Sequence, residues 1–106
     1  MEFQSINIRR IMNVAVEENG VIVDVRTRQE FSRGHIPMAI NVPLEKIEQG
    51  IMNLPKNRTY IVYCENGGAS MMAAKLMTQK GYRIINTVGG LAQYPKELTR
   101  EHGTSY

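Results

Sequence analysis

The sequence predicts an α/β fold in which a mostly parallel sheet of about five short strands is flanked by helices. Two short runs, Val21-Ile22-Val23-Asp24-Val25 and Tyr60-Ile61-Val62-Tyr63, are apolar and rich in β-branched residues. They lack the polar alternation of a half-exposed strand, so they read as strands covered on both faces. Helical spacing separates and follows these runs. Strands linked by helices over such short spans need right-handed crossovers, which make neighbouring strands parallel.

Each element has a local reason. Ile8, Ile11, Met12 and Ala15 recur at helical spacing after Asn7, a good N-cap, and Glu17-Glu18-Asn19-Gly20 closes that helix. The Val21–Val25 strand follows. Residues 28–33 can form one or two helical turns, which Gly34-His35-Ile36-Pro37 breaks. Ala39-Ile40-Asn41-Val42 reads as a short strand stopped by Pro43, and Leu44, Ile47 and Ile51 as a short helix. After the loop Asn53-Leu54-Pro55-Lys56-Asn57 comes the Tyr60–Tyr63 strand, which runs into Cys64-Glu65-Asn66-Gly67-Gly68-Ala69-Ser70. Strong helix formers then occupy residues 71–77, and Gly81 supplies a left-handed stop. Arg83-Ile84-Ile85-Asn86 is a last strand, and Leu91 opens a final helical segment towards Tyr94. Residues 99–106 look like a frayed tail.

Composition sets the limits. A chain of 106 residues suits one domain, taken as residues 1–106 with a core over about 3–97. The hydrophobic fraction of 42% can fill a core, which excludes general disorder. No apolar run approaches the roughly 20 residues of a membrane span, so no membrane role is expected. Nothing at the amino terminus reads as an export signal, and a cytoplasmic location is the expectation. The net charge is +3, but the basic residues are scattered and form no nucleic-acid-binding run. No nucleic-acid partner is therefore expected, and the weak positive field draws in small anions instead. A single cysteine excludes an internal disulfide and a multi-thiolate zinc site. His35 and His102 stand far apart in sequence, so no metal and no cofactor is expected.

Chemistry is expected beyond the carboxyl ends of the strands, where loops lead into helices. Cys64 holds such a position. The glycines that follow let successive backbone N–H groups converge on one point, and the helix beyond adds its positive terminus in the same direction. That arrangement suits a nucleophilic thiolate and any anionic group later carried on its sulfur. The competing reading, a buried cysteine that merely fills space, fits a strand interior better than a strand end. Asp24 (the only aspartate) and Arg26 end the other buried strand. A salt bridge or loop tether, for example Arg26 with Glu30, is the expected role, with a place at the pocket border open to both. His35 is expected to fix the turn before Ile36-Pro37, with a place at the pocket border open to it as well. Met71, Met72 and Met77 are expected to pack, with Met71 placed to reach an apolar rim.

These residues also carry a resemblance. Val23-Asp24-Val25-Arg26, Glu30-Phe31, Gly34-His35-Ile36-Pro37 and Ala39-Ile40-Asn41-Val42-Pro43 resemble the amino-terminal signature of the rhodanese family. Ile61-Val62-Tyr63-Cys64 and the loop to Ser70 occupy the place of that family's active-site loop. Gly81-Tyr82 and Val88-Gly89-Gly90-Leu91 resemble its closing segment. The resemblance implies a sulfurtransferase or persulfide carrier, in which Cys64 takes a sulfane sulfur from a donor and passes it to cyanide or a thiol. Glu65, Asn66, Gly67, Gly68 and Ala69 would form the anion cradle, with Ser70 opening the helix. Its partners would be a small sulfur donor, or a persulfide on a small thiol or protein, and a protein sulfur acceptor.

Two departures qualify the resemblance. Relatives active on thiosulfate often carry arginine where this chain has Ala69, and a basic residue where it has Glu65. A carboxylate beside the entrance repels a dianionic donor, so weak thiosulfate activity is expected. The alternative is a catalytically weak rhodanese-like binding or regulatory module. A cysteine phosphatase of related fold fits less well, because no arginine follows Cys64 until Arg83 to clamp phosphoryl oxygens.

Overall fold

The computed structural model describes residues 2–106; Met1 lies outside the described residues. Its five strands are β1 (Gln4–Asn7), β2 (Val21–Asp24), β3 (Ile40–Asn41), β4 (Thr59–Tyr63) and β5 (Arg83–Val88). They form one sheet in the order β1-β5-β4-β2-β3, and every pairing is parallel. The helices are α1 (Ile11–Glu17), α2 (Arg28–Arg33), α3 (Leu44–Glu48) and α4 (Gly68–Gln79).

The central strand β4 is buried along its whole length, which explains its uninterrupted apolar sequence. Alternate side chains serve opposite faces. Tyr60 and Val62 pack with Val23, Ala73, Ala74 and Met77 beneath α4, whereas Ile61 and Tyr63 pack with Ile11, Val14 and Ile22 beneath α1. The register pairs Val23 with Val62 and Asp24 with Tyr63, so the two buried strands end at one level. The Val25 N–H then donates to the Tyr63 carbonyl at 3.1 Å. Parallel register thus brings the Asp24-Val25-Arg26 corner beside the Cys64 loop, although Asp24 and Cys64 are 40 positions apart in sequence.

Helix starts and stops follow local chemistry. The Asn7 side chain accepts from the Arg9 N–H at 2.9 Å, as an N-cap should, but the first turn (Ile8–Arg10) is a 3-10 turn leading into α1. Helix α2 opens with a capping box between Thr27 and Glu30, a feature the sequence reading missed. Gly81 takes the left-handed conformation at φ +92°, as expected beyond α4. The final segment is a single 3-10 turn, Leu91–Gln93.

Several expectations need correction. Strand β1 was not anticipated, because only Ile6 of its four residues is buried and one apolar side chain makes no pattern. Strand β3 is two residues rather than four, β2 ends at Asp24, and β5 continues to Val88. The tail over 99–106 is docked rather than frayed. Thr99 exchanges both backbone hydrogen bonds with His35, at 2.9 and 2.8 Å. Asn41 donates its N–H to the Thr104 carbonyl, and its carbonyl accepts from the Tyr106 N–H, both at 2.8 Å. Ser105 Oγ adds a 2.6 Å bond to Asn41 Oδ1. The tail therefore covers β3, which would otherwise be an open sheet edge. No helix among the described residues is long and apolar enough to cross a membrane.

Each bond made by the tail contributes about 0.5–1.5 kcal/mol net. Deleting residues 99–106 is expected to lower stability by about 2–4 kcal/mol in urea unfolding and to increase aggregation through the bared edge. Unchanged urea midpoint and solubility would contradict this role for the tail.

Candidate active site

Cys64 follows the last residue of β4 and is only 2% exposed. Two backbone N–H groups converge on its sulfur. Gly67 donates to Sγ at 2.9 Å and Ser70 at 3.2 Å. The reversal that aims them comes from Gly67, whose φ of +99° lies in a region that residues with a Cβ rarely adopt. Gly68 and Ala69, the first residues of α4, have no acceptor for their N–H groups among the described residues. These are the unpaired donors that any helix start leaves. The partial positive charge of a 12-residue helix therefore faces the sulfur.

The loop is braced from two sides. Ser70 is the third residue of α4 rather than its opening residue, and its Oγ donates to the Gly67 carbonyl at 3.1 Å. The Leu91 N–H is shared by the carbonyls of Cys64 and Glu65 at 3.0 and 2.9 Å. Gly90 makes that approach possible, because a Cβ there would lie 2.6 Å from the Cα of Asn66. The sequence reading gave Gly90 and Leu91 no role in the loop, although the glycine pair before Leu91 was the visible signal.

A polar cluster lies beside the sulfur. Asp24 is fully buried and accepts from the Arg26 N–H at 2.9 Å, Arg26 Nη2 at 2.8 Å and the Tyr63 hydroxyl at 2.6 Å. Burial, reinforced by the adjacent Asp24 carboxylate, pushes the Tyr63 phenol far above its ordinary pKa, so it remains a donor. Burial opposes the charge on Arg26, but the hydrogen bonds and negative charge of Asp24 outweigh it and raise the pKa of the guanidinium. Arg26 also donates to the Gly34 carbonyl at 2.6 Å and to Glu65 Oε1 at 3.3 Å. Asn41 completes the corner by donating to the carbonyls of Asp24 and Arg26, both at 2.9 Å.

Three expectations change here. Arg26 does not pair with Glu30, whose carboxylate is held by the Thr27 N–H at 3.1 Å and Thr27 Oγ1 at 3.0 Å. Its second carboxylate partner is Glu65, 39 residues away, so the charge beside the sulfur is drawn towards a cation rather than standing free. His35 is absent from the pocket wall: its ring stacks on Phe31 with centroids 3.8 Å apart, and Nδ1 donates to the Phe31 carbonyl at 2.8 Å. Met77 is core as expected, Met71 is half-buried and stands outside the cavity lining, and Met72 faces solvent rather than packing.

The cavity beyond Cys64 has a volume of about 440 Å³. Cys64, Glu65, Asn66 and Ala69 line one side, and Arg26 also borders it. Among the described residues, no group of three metal-ligating side chains is found there or elsewhere. Chemically, the arrangement can hold negative charge on one nucleophilic sulfur at the edge of a cavity large enough for an organic molecule.

Known proteins resemble the chain over most of its length. The family model of the rhodanese-like domain matches residues 10–97. A protein named sulfurtransferase, from Allochromatium vinosum, is 33% identical over 84 residues, which cover 78% of this chain and 78% of that one. Thiosulfate sulfurtransferase PspE of Escherichia coli is 34% identical over 71 residues, covering 65% of this chain and 68% of that one. Among solved structures, a rhodanese-like domain protein from Staphylococcus aureus superposes with a TM-score of 0.80 at 29% identity, over 94% of this chain and 100% of that one. With its parallel sheet, its cysteine at the end of β4 and its loop amides turned onto the sulfur, the chain belongs to the rhodanese-like domain family.

Proposed function

We propose that the chain is a sulfurtransferase that carries sulfane sulfur as a persulfide on Cys64. The observation that carries this reading is the convergence of the Gly67 and Ser70 N–H groups on Sγ. With a persulfide donor, the Cys64 thiolate bonds to the terminal sulfur and the donor's S–S bond breaks. The electron pair leaves on the donor's own sulfur as a thiolate, and the proton of the terminal sulfur stays with the transferred atom. With thiosulfate the same attack releases sulfite. In the second half of the cycle, an acceptor thiolate or cyanide attacks the outer sulfur and Cys64 leaves as a thiolate. No oxidant or reductant is consumed, and one difficult transfer becomes two easier ones.

Backbone donors suit this cycle. Once the outer sulfur releases its proton, the negative charge rests there rather than on Sγ, and fixed N–H groups are placed to stabilise either position without reorganising. The Gly68 and Ala69 N–H groups, which have no acceptor among the described residues, are available to the outer sulfur. The name of the Allochromatium relative supports sulfur transfer in general. Glu65 and Ala69 favour a donor other than thiosulfate: the Arg26 guanidinium is occupied by Asp24, Gly34 and Glu65, and Ala69 offers no charge. A persulfide on a small thiol or a protein carries less charge at the reacting end.

Incubation with a persulfide donor is expected to add about 32 Da at Cys64, read by mass spectrometry, with no addition in Cys64→Ser. Failure of the wild type to load from any donor would leave a binding module. Glu65→Gln is expected to raise kcat/KM for thiosulfate by about 3–10-fold, mainly through KM, by removing a like charge at the entrance. An unchanged value would remove Glu65 as the cause of weak thiosulfate use.

A further inference from the structure

The tail over 99–106 lies beyond the stretch matched by the family model, yet its bonds fall on the supports of the active site. Its first anchor is His35, which exchanges both backbone hydrogen bonds with Thr99. The residue before it, Gly34, supplies the carbonyl that accepts from Arg26 Nη2 at 2.6 Å. The second anchor is Asn41, held at three points. The Thr104 carbonyl accepts from its N–H, the Tyr106 N–H donates to its carbonyl, and Ser105 Oγ donates to its Oδ1. With Oδ1 satisfied by Ser105, both Nδ2 hydrogens of this fully buried carboxamide go to the carbonyls of Asp24 and Arg26. Between the anchors the tail runs close over the ring that stacks on His35, since a Cβ on Gly103 would lie 2.8 Å from Phe31 Cζ. Both anchors therefore hold groups that hold Arg26.

We propose that the tail is a positioning element of the active site, and that Ser105 and Asn41 carry its hold through the Asp24–Arg26 corner to the carboxylate of Glu65. This goes beyond the cover the tail gives β3, and its bearing on turnover rests on the reading of Cys64 as the sulfur carrier. The route is a chain of contacts. Ser105 fixes Asn41, Asn41 fixes the main chain of Arg26, and the guanidinium reaches Glu65, the residue after Cys64. At 3.3 Å the contact with Glu65 is the longest of the guanidinium's bonds, and the Glu65 side chain is 55% exposed. It is therefore the first contact to be lost when the corner loosens. Its loss leaves an unmatched carboxylate on the cavity wall, one position from the sulfur-bearing residue, where it repels anions. Neither Ser105 nor Asn41 lines the cavity, and neither takes part in the bond exchange.

The test reads the charge around the sulfur with two alkylating reagents of similar size, anionic iodoacetate and neutral iodoacetamide. Cys64 is the single cysteine, so its modification is unambiguous by mass spectrometry. The ratio of the two second-order rate constants, normalised to free cysteine, is measured at low salt in the full-length chain. Ser105→Ala/Tyr106→Pro removes two of the three bonds to Asn41 while keeping the chain length. It is expected to lower the iodoacetate-to-iodoacetamide ratio by about threefold, an effect that shrinks as ionic strength rises. Ser105→Ala alone is expected to move the ratio in the same direction by a smaller factor, and it serves where the double substitution unfolds the chain. In a Glu65→Gln background the same substitutions are expected to leave the ratio unchanged. Plain loosening of the fold would instead move the ratio towards one in both backgrounds. A ratio unaltered by the tail substitutions, or altered equally in both backgrounds, overturns the inference and leaves Cys64 as the carrier. A Cys64 that reacts with neither reagent in the wild type removes the reactive thiolate, and with it both the inference and the carrier reading.

Discussion

A sulfur anion that is nearly sealed from solvent must take its solvation from the protein, because burying an uncompensated charge is costly. At Cys64 that solvation comes from the main chain. Two N–H groups reach Sγ, and two more at the start of α4 have no acceptor within the described chain. Amide donors are fixed by the fold, carry no counter-charge to be displaced and stay protonated at every working pH. The rest of the local architecture holds those amides in place. Gly67 turns the chain, Ser70 ties the turn, and Leu91 and Gly90 press on the loop from behind.

The neighbouring Asp24–Arg26–Tyr63 cluster resolves a second burial problem. Asp24 and Arg26 are both buried, and each is costly alone. Together they form a geometrically complete pair. Asp24 takes donors on both oxygens, and Arg26 spends its remaining donors on Gly34 and Glu65. The pair contributes almost no net charge to the cavity. Its value lies in geometry: it pins the corner after β2 against the loop after β4 and restrains the carboxylate of Glu65, the residue that follows Cys64.

Legibility in the sequence followed the physics of each signal. Strands β2 and β4 are legible because burial on both faces demands apolar runs, and the turn after Cys64 because adjacent glycines between a strand and a helix mark a tight reversal. Strand β1 was not readable, since an edge strand with one buried side chain is held by backbone bonds that leave no mark on residue type. The same is true of the tail, where Thr99, Thr104 and Ser105 look like solvent-facing residues yet cover β3. The partner of Arg26 was misjudged because sequence proximity favoured Glu30, whereas the capping box had claimed it and the parallel register delivered Glu65. Asn41 stood out only as a polar residue in an apolar segment, and its two bonds to the carbonyls of Asp24 and Arg26 needed the fold to become visible.

The central claim is that main-chain donors hold the charge on the sulfur. Amide-resolved nuclear magnetic resonance of nitrogen-15-labelled protein, recorded before and after sulfur loading, tests it most directly. The account expects the Gly67 and Ser70 amide protons to move most, with Gly68 and Ala69 shifting downfield as they gain an acceptor. Loading that leaves these four resonances in place, with the changes confined to side chains elsewhere on the cavity wall, would contradict it.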